Sequence, residues 1–109
     1  MPDQQALVLL QDEKFDAFNQ LVERNGGMVD LSHAHLRSFD LRKCNLTKAN
    51  LTGAYMRACD IRALDLSEAE LDQASFKGAK ISGVLFPRSI SSFEITMSVQ
   101  YGTRIRQGM

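Results

Sequence analysis

Residues 29–87 read VDLSHAHLRSFDLRKCNLTKANLTGAYMRACDIRALDLSEAELDQASFKGAKISGVLFP. Every fifth residue from Leu31 is large and apolar: Leu31, Leu36, Leu41, Leu46, Leu51, Met56, Ile61, Leu66, Leu71, Phe76, Ile81 and Phe86. Two residues before each stands a second apolar side chain, mostly Ala, Cys or Val, with Phe39 and Leu64 oversized. Between the two the residue is usually polar, as at Asp30, Asp40, Asn45, Asn50, Asp60, Asp65 and Glu70. A helix repeats near 3.6 residues and a strand at 2, so a period of five fits neither. Two inward positions per five residues require a chain that turns a corner in every unit. Four units then close one square coil of about 20 residues, and coils stack at roughly 4.8 Å. Each coil buries its inward side chains against its neighbours alone, as in repeat proteins.

Twelve units make three coils, so central residues fall into four columns, one per wall. These are Leu31/Leu51/Leu71, Leu36/Met56/Phe76, Leu41/Ile61/Ile81 and Leu46/Leu66/Phe86. These twelve residues and Phe39 form the expected core, with Phe39 protruding toward the N-terminal end. Gly53, Gly78 and Gly83 sit at unit ends, where corners favour positive φ. The Asp and Asn side chains are expected to bond the backbone near the corners.

The units Ala49-Asn50-Leu51, Cys59-Asp60-Ile61 and Ala69-Glu70-Leu71 resemble the pentapeptide-repeat family, whose motif is A-(D/N)-L-x-x. The likeness covers about 60 of the 109 residues and points to a small bacterial-type member. It implies an all-β solenoid, a right-handed quadrilateral parallel β-helix of about three coils. It implies no single function.

The 109 residues make one domain with a formal net charge of zero. No run approaches the roughly 18 apolar residues of a membrane span. Asp3 precedes a short apolar run, Ala6 to Leu10, without a basic leader, which reads as a cytoplasmic protein. Cys44 and Cys59 both occupy the small inward position and are expected to be core residues rather than a disulfide or metal pair.

Residues 1–28 form the expected N-terminal capping segment. Ala6 to Leu10 suits strand or helix. From Asp12, a capping residue, the stripe Phe15, Phe18, Leu21, Val22 predicts a helix over 12–25, stopped at Asn25-Gly26-Gly27. Its expected task is to cover the first coil, the alternative being a partner-binding helix. After the repeat region, 29–88, residues 89–109 form a C-terminal cap. There the alternation of Phe93, Ile95, Met97, Val99 and Tyr101 suits a strand. The Ser91/Glu94 capping-box spacing and Gly102 favour a helix over 92–101, followed by a basic tail with Arg104 and Arg106. Phe93, Ile95, Met97, Val99 and Tyr101 are also the expected contacts of a homodimer, because the segment carries more apolar surface than a cap uses.

No catalytic constellation is visible. Ser32, Ser38 and Ser67 have no histidine–carboxylate partner, and there is no glycine-rich phosphate loop. His33 and His35 point outward with Asp30 as the one close third ligand. No enzyme activity, metal or cofactor is therefore expected. The charges do segregate by wall. The first wall carries Asp30, Glu70 and Asp72; the second carries Arg37, Arg57 and Lys77 and no acid. The third carries Arg42, Lys43, Arg62 and Lys80 against Asp40 and Asp60, and the fourth is mixed. Arg37, Arg57, Lys77, Arg42, Arg62 and Lys80 are the candidate interaction surface. The leading functional reading is a non-catalytic scaffold docking to a partner protein. A DNA-mimic modulator of DNA gyrase is the alternative, but three coils span only about 15 Å and the chain is neutral. Binding of phosphate, nucleotide or nucleic acid by the basic walls is the third reading, disfavoured because no aromatic stacking platform accompanies the arginines, Tyr55 being the only outward aromatic on those walls.

Overall fold

The computed structural model describes residues 2–108. Its regular elements are three helices: α1 (Gln4–Gln11), α2 (Phe15–Arg24) and α3 (Ser92–Tyr101). The expected all-β class, a quadrilateral parallel β-helix, is thereby corrected. Among the described residues there is no continuous strand or sheet, only seven isolated parallel bridges. The reason lies in the unit itself. A turn closes each one, as where the Ala34 N–H donates to the Leu31 carbonyl (3.1 Å) and the Ala54 N–H to Leu51 (3.0 Å). One residue per wall is left in bridging geometry, too few for a ladder.

The bridges nonetheless have a strict step. Asp30 pairs with Asn50, Asn50 with Glu70, His35 with Tyr55, and Tyr55 with Ser75, each twenty residues apart. The chain therefore coils once per four units, and the central residues stack. Leu31, Leu36, Leu41, Leu46, Leu51, Met56, Ile61, Leu66, Leu71 and Phe76 are buried. The other three expected core residues are partly buried and pack against this core. Phe39, Ile81 and Phe86 are only partly covered, Phe39 beside Leu10 and Phe15 at one end, Ile81 and Phe86 on the last coil.

In six units an Asp or Asn side chain ties down its own turn, at 30, 40, 45, 50, 60 and 65. Asp30 Oδ1 accepts from the Ser32 N–H (2.9 Å) and hydroxyl (2.6 Å), and Asn50 Oδ1 from the Thr52 N–H (3.1 Å). Asp65 does the same for Ser67 (2.9 Å). These bonds hold the Asp30 and Asp65 carboxyls below the usual carboxylate range. Two residues past the central position φ turns positive, at Gly53 (67°) but also at His33 (59°) and Ala58 (60°). Glycine at 53 has a second reason: a Cβ there would run into the His33 ring as it stands.

Both ends are capped. The apolar run at 6–10 is helix, because Asp3 Oδ1 accepts from the Ala6 N–H (3.2 Å) and the i, i+4 pair Ala6 and Leu10 is buried. Asp12 does not cap the next helix as expected. It closes α1, and α2 starts behind Lys14 with no side-chain cap. Phe18, Leu21 and Val22 of α2 join the core, and Asn19 clasps the first coil through the Lys43 carbonyl (2.9 Å) and the Asn45 N–H (2.8 Å). At the other end the Ser91 hydroxyl caps α3 on the Glu94 N–H (3.2 Å), and Gly102 ends it at φ 73°.

The third coil ends in N–H groups that a fourth would have paired, and the C-terminal segment supplies substitutes on two walls. The Phe76 N–H donates to the buried Ser98 hydroxyl (2.9 Å) and Gly78 to the Val99 carbonyl (2.9 Å). Leu71 donates to Gln107 Oε1 (2.7 Å) and Gln73 to the Ile105 carbonyl (2.6 Å), while the Ile105 N–H donates to Ala74 (2.8 Å). Residues 103–108 are thus a structural cap, not a free basic tail. Arg106 is spent on Glu94 (2.7 Å), which holds that carboxyl below its ordinary range.

Candidate interaction face

The twenty-residue step aligns side chains as well as backbone. On the second wall, bridging positions 35, 55 and 75 form one outward column, and Arg37, Arg57 and Lys77 the next. The His35 and Tyr55 rings stack at 4.7 Å and 17°. Arg104 comes in from the C-terminal cap with its guanidinium 5.0 Å above the same Tyr55 ring. One Arg104 nitrogen donates to the Tyr55 hydroxyl and the other to the Gln73 carbonyl (3.0 Å). Tyr55 is therefore fixed between an imidazole and a guanidinium. Tyr101 and Gly102 at the end of α3 complete a surface groove of about 460 Å3.

The six cations expected to form one surface separate into two sets. Arg37 and Arg57 are exposed and make no ion pair among the described residues. Lys77 makes none either, although its ammonium donates to the Gln100 carbonyl (3.3 Å) at the C-terminal end of α3. Arg42 and Arg62, one wall on, are neutralised. Arg42 pairs with Asp40 (2.9 Å) and reaches Asp60 (3.3 Å), and Arg62 pairs with Asp60 (2.7 Å). The Arg42 fork holds the Asp40 carboxyl down to about 2, and Arg62 lowers that of Asp60. Lys80 is exposed on that wall without an ion pair among the described residues. The uncompensated charge next to an organised aromatic is thus on the second wall.

The repeats that build this wall match a family model. Pentapeptide repeats are found in eight copies over residues 29–62 and 55–89. The chain belongs to the pentapeptide-repeat family. Comparison with curated proteins and with solved structures gives no match.

In this pentapeptide-repeat protein the expected dimer contacts also divide. Ile95 is buried on its own coil and Val99 packs against the same core, so both are cap residues. Met97 is half-buried, while Phe93 and Tyr101 are each 65% exposed. Tyr101 belongs to the groove. Among the described residues no group of three His, Cys, Asp or Glu, His33 and His35 included, could hold a metal ion. Cys44 and Cys59 are free and buried, and burial pushes their thiols up to about 12 and about 11. Neither is a thiolate near neutral pH, which removes both as nucleophiles. Among the described residues no helix is long and apolar enough to cross a membrane.

Three members of the groove, His35, Tyr55 and Arg104, lie outside the surface expected from the sequence. His35 and Tyr55 could have been paired by the same twenty-residue arithmetic that aligned Arg37 with Arg57. Arg104 carried no such signal, because its place follows from Ile105 binding the last coil.

Proposed function

We propose that this protein is a non-catalytic, cytoplasmic interaction module that docks an acidic patch of a partner protein in the second-wall groove. One observation carries the reading: Arg37 and Arg57 stand in register without counter-charges among the described residues, beside a tyrosine already locked by His35 and Arg104. Stacked like charges repel, and an acidic partner relieves that repulsion while its carboxylates gain guanidinium forks. Tyrosine and arginine are also the side chains that dominate binding energy at interfaces. The family membership agrees with a repeat protein working as a surface rather than as a catalyst.

Arg57→Glu tests the reading. Its side chain is exposed and makes no ion pair among the described residues, so the melting temperature should stay within a few degrees. Capture of the partner from cell extract should fall at least tenfold, about 1.4 kcal/mol, and wild-type capture should weaken with salt. Unchanged capture, or inhibition of gyrase supercoiling by both proteins alike, would contradict it.

We also infer a twofold dimer through the outer face of α3, centred on the exposed Phe93. Sedimentation of the full chain at micromolar concentration should give a dimer that Phe93→Asp converts to a monomer of unchanged fold. A monomeric wild-type chain would refute it.

A further inference from the structure

The C-terminal cap covers only half of the last coil. On the first two walls the end N–H groups of Leu71, Gln73, Phe76 and Gly78 all find acceptors in residues 98–107. On the third wall they do not. One coil below, the Cys59 carbonyl accepts from Lys80 (2.9 Å), and the Ile61 and Ala63 N–H groups donate to Lys80 (3.1 Å) and Ser82 (2.9 Å). The equivalent groups on the last coil are the Ala79 carbonyl and the Ile81 and Gly83 N–H groups. These make no hydrogen bond to any described residue. The apolar side chains at this end are incompletely covered too: Ile81 and Val84 are half-buried.

The charge pattern breaks at the same place. The bridging position of this wall is Asp40, then Asp60, then Lys80, and the next outward position is Arg42, Arg62, then Ser82. Arg42 reaches up one step to Asp60. Lys80 ends this column as a cation with no ion pair among the described residues, and no described residue bridges to it from above to supply an acid.

We propose that this ledge binds an extended segment of a partner protein, laid parallel to residues 79–83, with the pattern small residue, acid, large apolar residue. The acidic residue's N–H donates to the Ala79 carbonyl, its carbonyl accepts from Ile81, and the carbonyl two residues on accepts from Gly83. Its carboxylate meets Lys80, the small residue sits over Ala79, and the large one stacks on Ile81. This is strand addition to an open edge, with backbone bonds for affinity and the side-chain pattern for specificity. The ledge is independent of the second-wall groove.

The test is titration of the 15N-labelled full chain with the capped peptide Gly-Ala-Asp-Leu-Thr-Gly. The Ile81 and Gly83 amides should shift, and their hydrogen exchange should slow at least tenfold at saturation. Lys80→Glu should weaken this peptide at least tenfold and bind the version with Lys in place of Asp. Unchanged exchange at Ile81 and Gly83 would overturn the proposal. So would slow exchange of both amides in a peptide-free dimer, which would assign the ledge to a second copy. Peptide shifts confined to the groove and erased by Arg57→Glu would also overturn it while supporting the groove; loss of groove binding alone leaves the ledge result standing.

Discussion

Leu51→Asp is expected to leave no folded protein at 25 °C. Leu51 is fully buried midway in the first-wall column, between Leu31 and Leu71. It belongs to the buried apolar cluster that runs through the coils. An unpaired buried charge costs several kcal/mol, which is the size of the whole stability of a small domain. Thr52→Asp, one residue on, should cost about 0.5 kcal/mol at most. Thr52 is half-buried on the outside of the turn, and the first wall already carries Asp72 at the equivalent position. The residual penalty is that like-charge pair across one coil step. Thermal melts followed by circular dichroism read both variants. Equal loss of structure in the two would mean that the inward and outward faces are misassigned.

Ile105→Ala should lower stability by about 2–3 kcal/mol, near the low end for a buried Ile-to-Ala change because a terminal segment can collapse onto the gap. For a domain of this size that is a drop of roughly 10 °C or more. Ile105 is fully buried, and its backbone bonds both Gln73 and Ala74 of the last coil. The loss should not stop at stability. Arg104 is held over Tyr55 by the chain that Ile105 anchors, so partner capture should weaken as well. Thr103→Ala, at an exposed position of the same segment, is the control and should change neither. A full-stability Ile105→Ala protein would mean that residues 103–108 do not cap the coil.

These two positions mark what the sequence makes legible. Leu51 lies in a twelve-fold register, and each added unit narrows the choice of inward face. Burial of the central residues from Leu31 to Phe76 follows from that count alone. The class does not follow, because periodicity says where side chains point and not how many residues stay extended between turns. With one bridging residue per wall, the helices become the regular elements. Ile105 is one isoleucine among Thr103, Arg104, Arg106 and Gln107, with no period to announce it. What it satisfies is a pair of backbone groups some thirty residues back, at Gln73 and Ala74. Asp12 shows the same limit at the other end: it has the chemistry of an N-cap, but it closes α1, and the chain turns at Glu13, φ 57°, before α2 begins.

The claim on which the function rests is that residues twenty apart stack and that the C-terminal cap closes over them, so that one wall presents Arg37 and Arg57 beside a clamped Tyr55. Proton cross-relaxation in the full chain measures both parts at once. Cross-peaks between the His35 and Tyr55 ring protons, and between the Tyr55 ring and the Arg104 side chain, are the predicted result, since stacked rings and a cation above them lie within about 5 Å. A well-dispersed spectrum with neither set would contradict the twenty-residue register, and with it the groove.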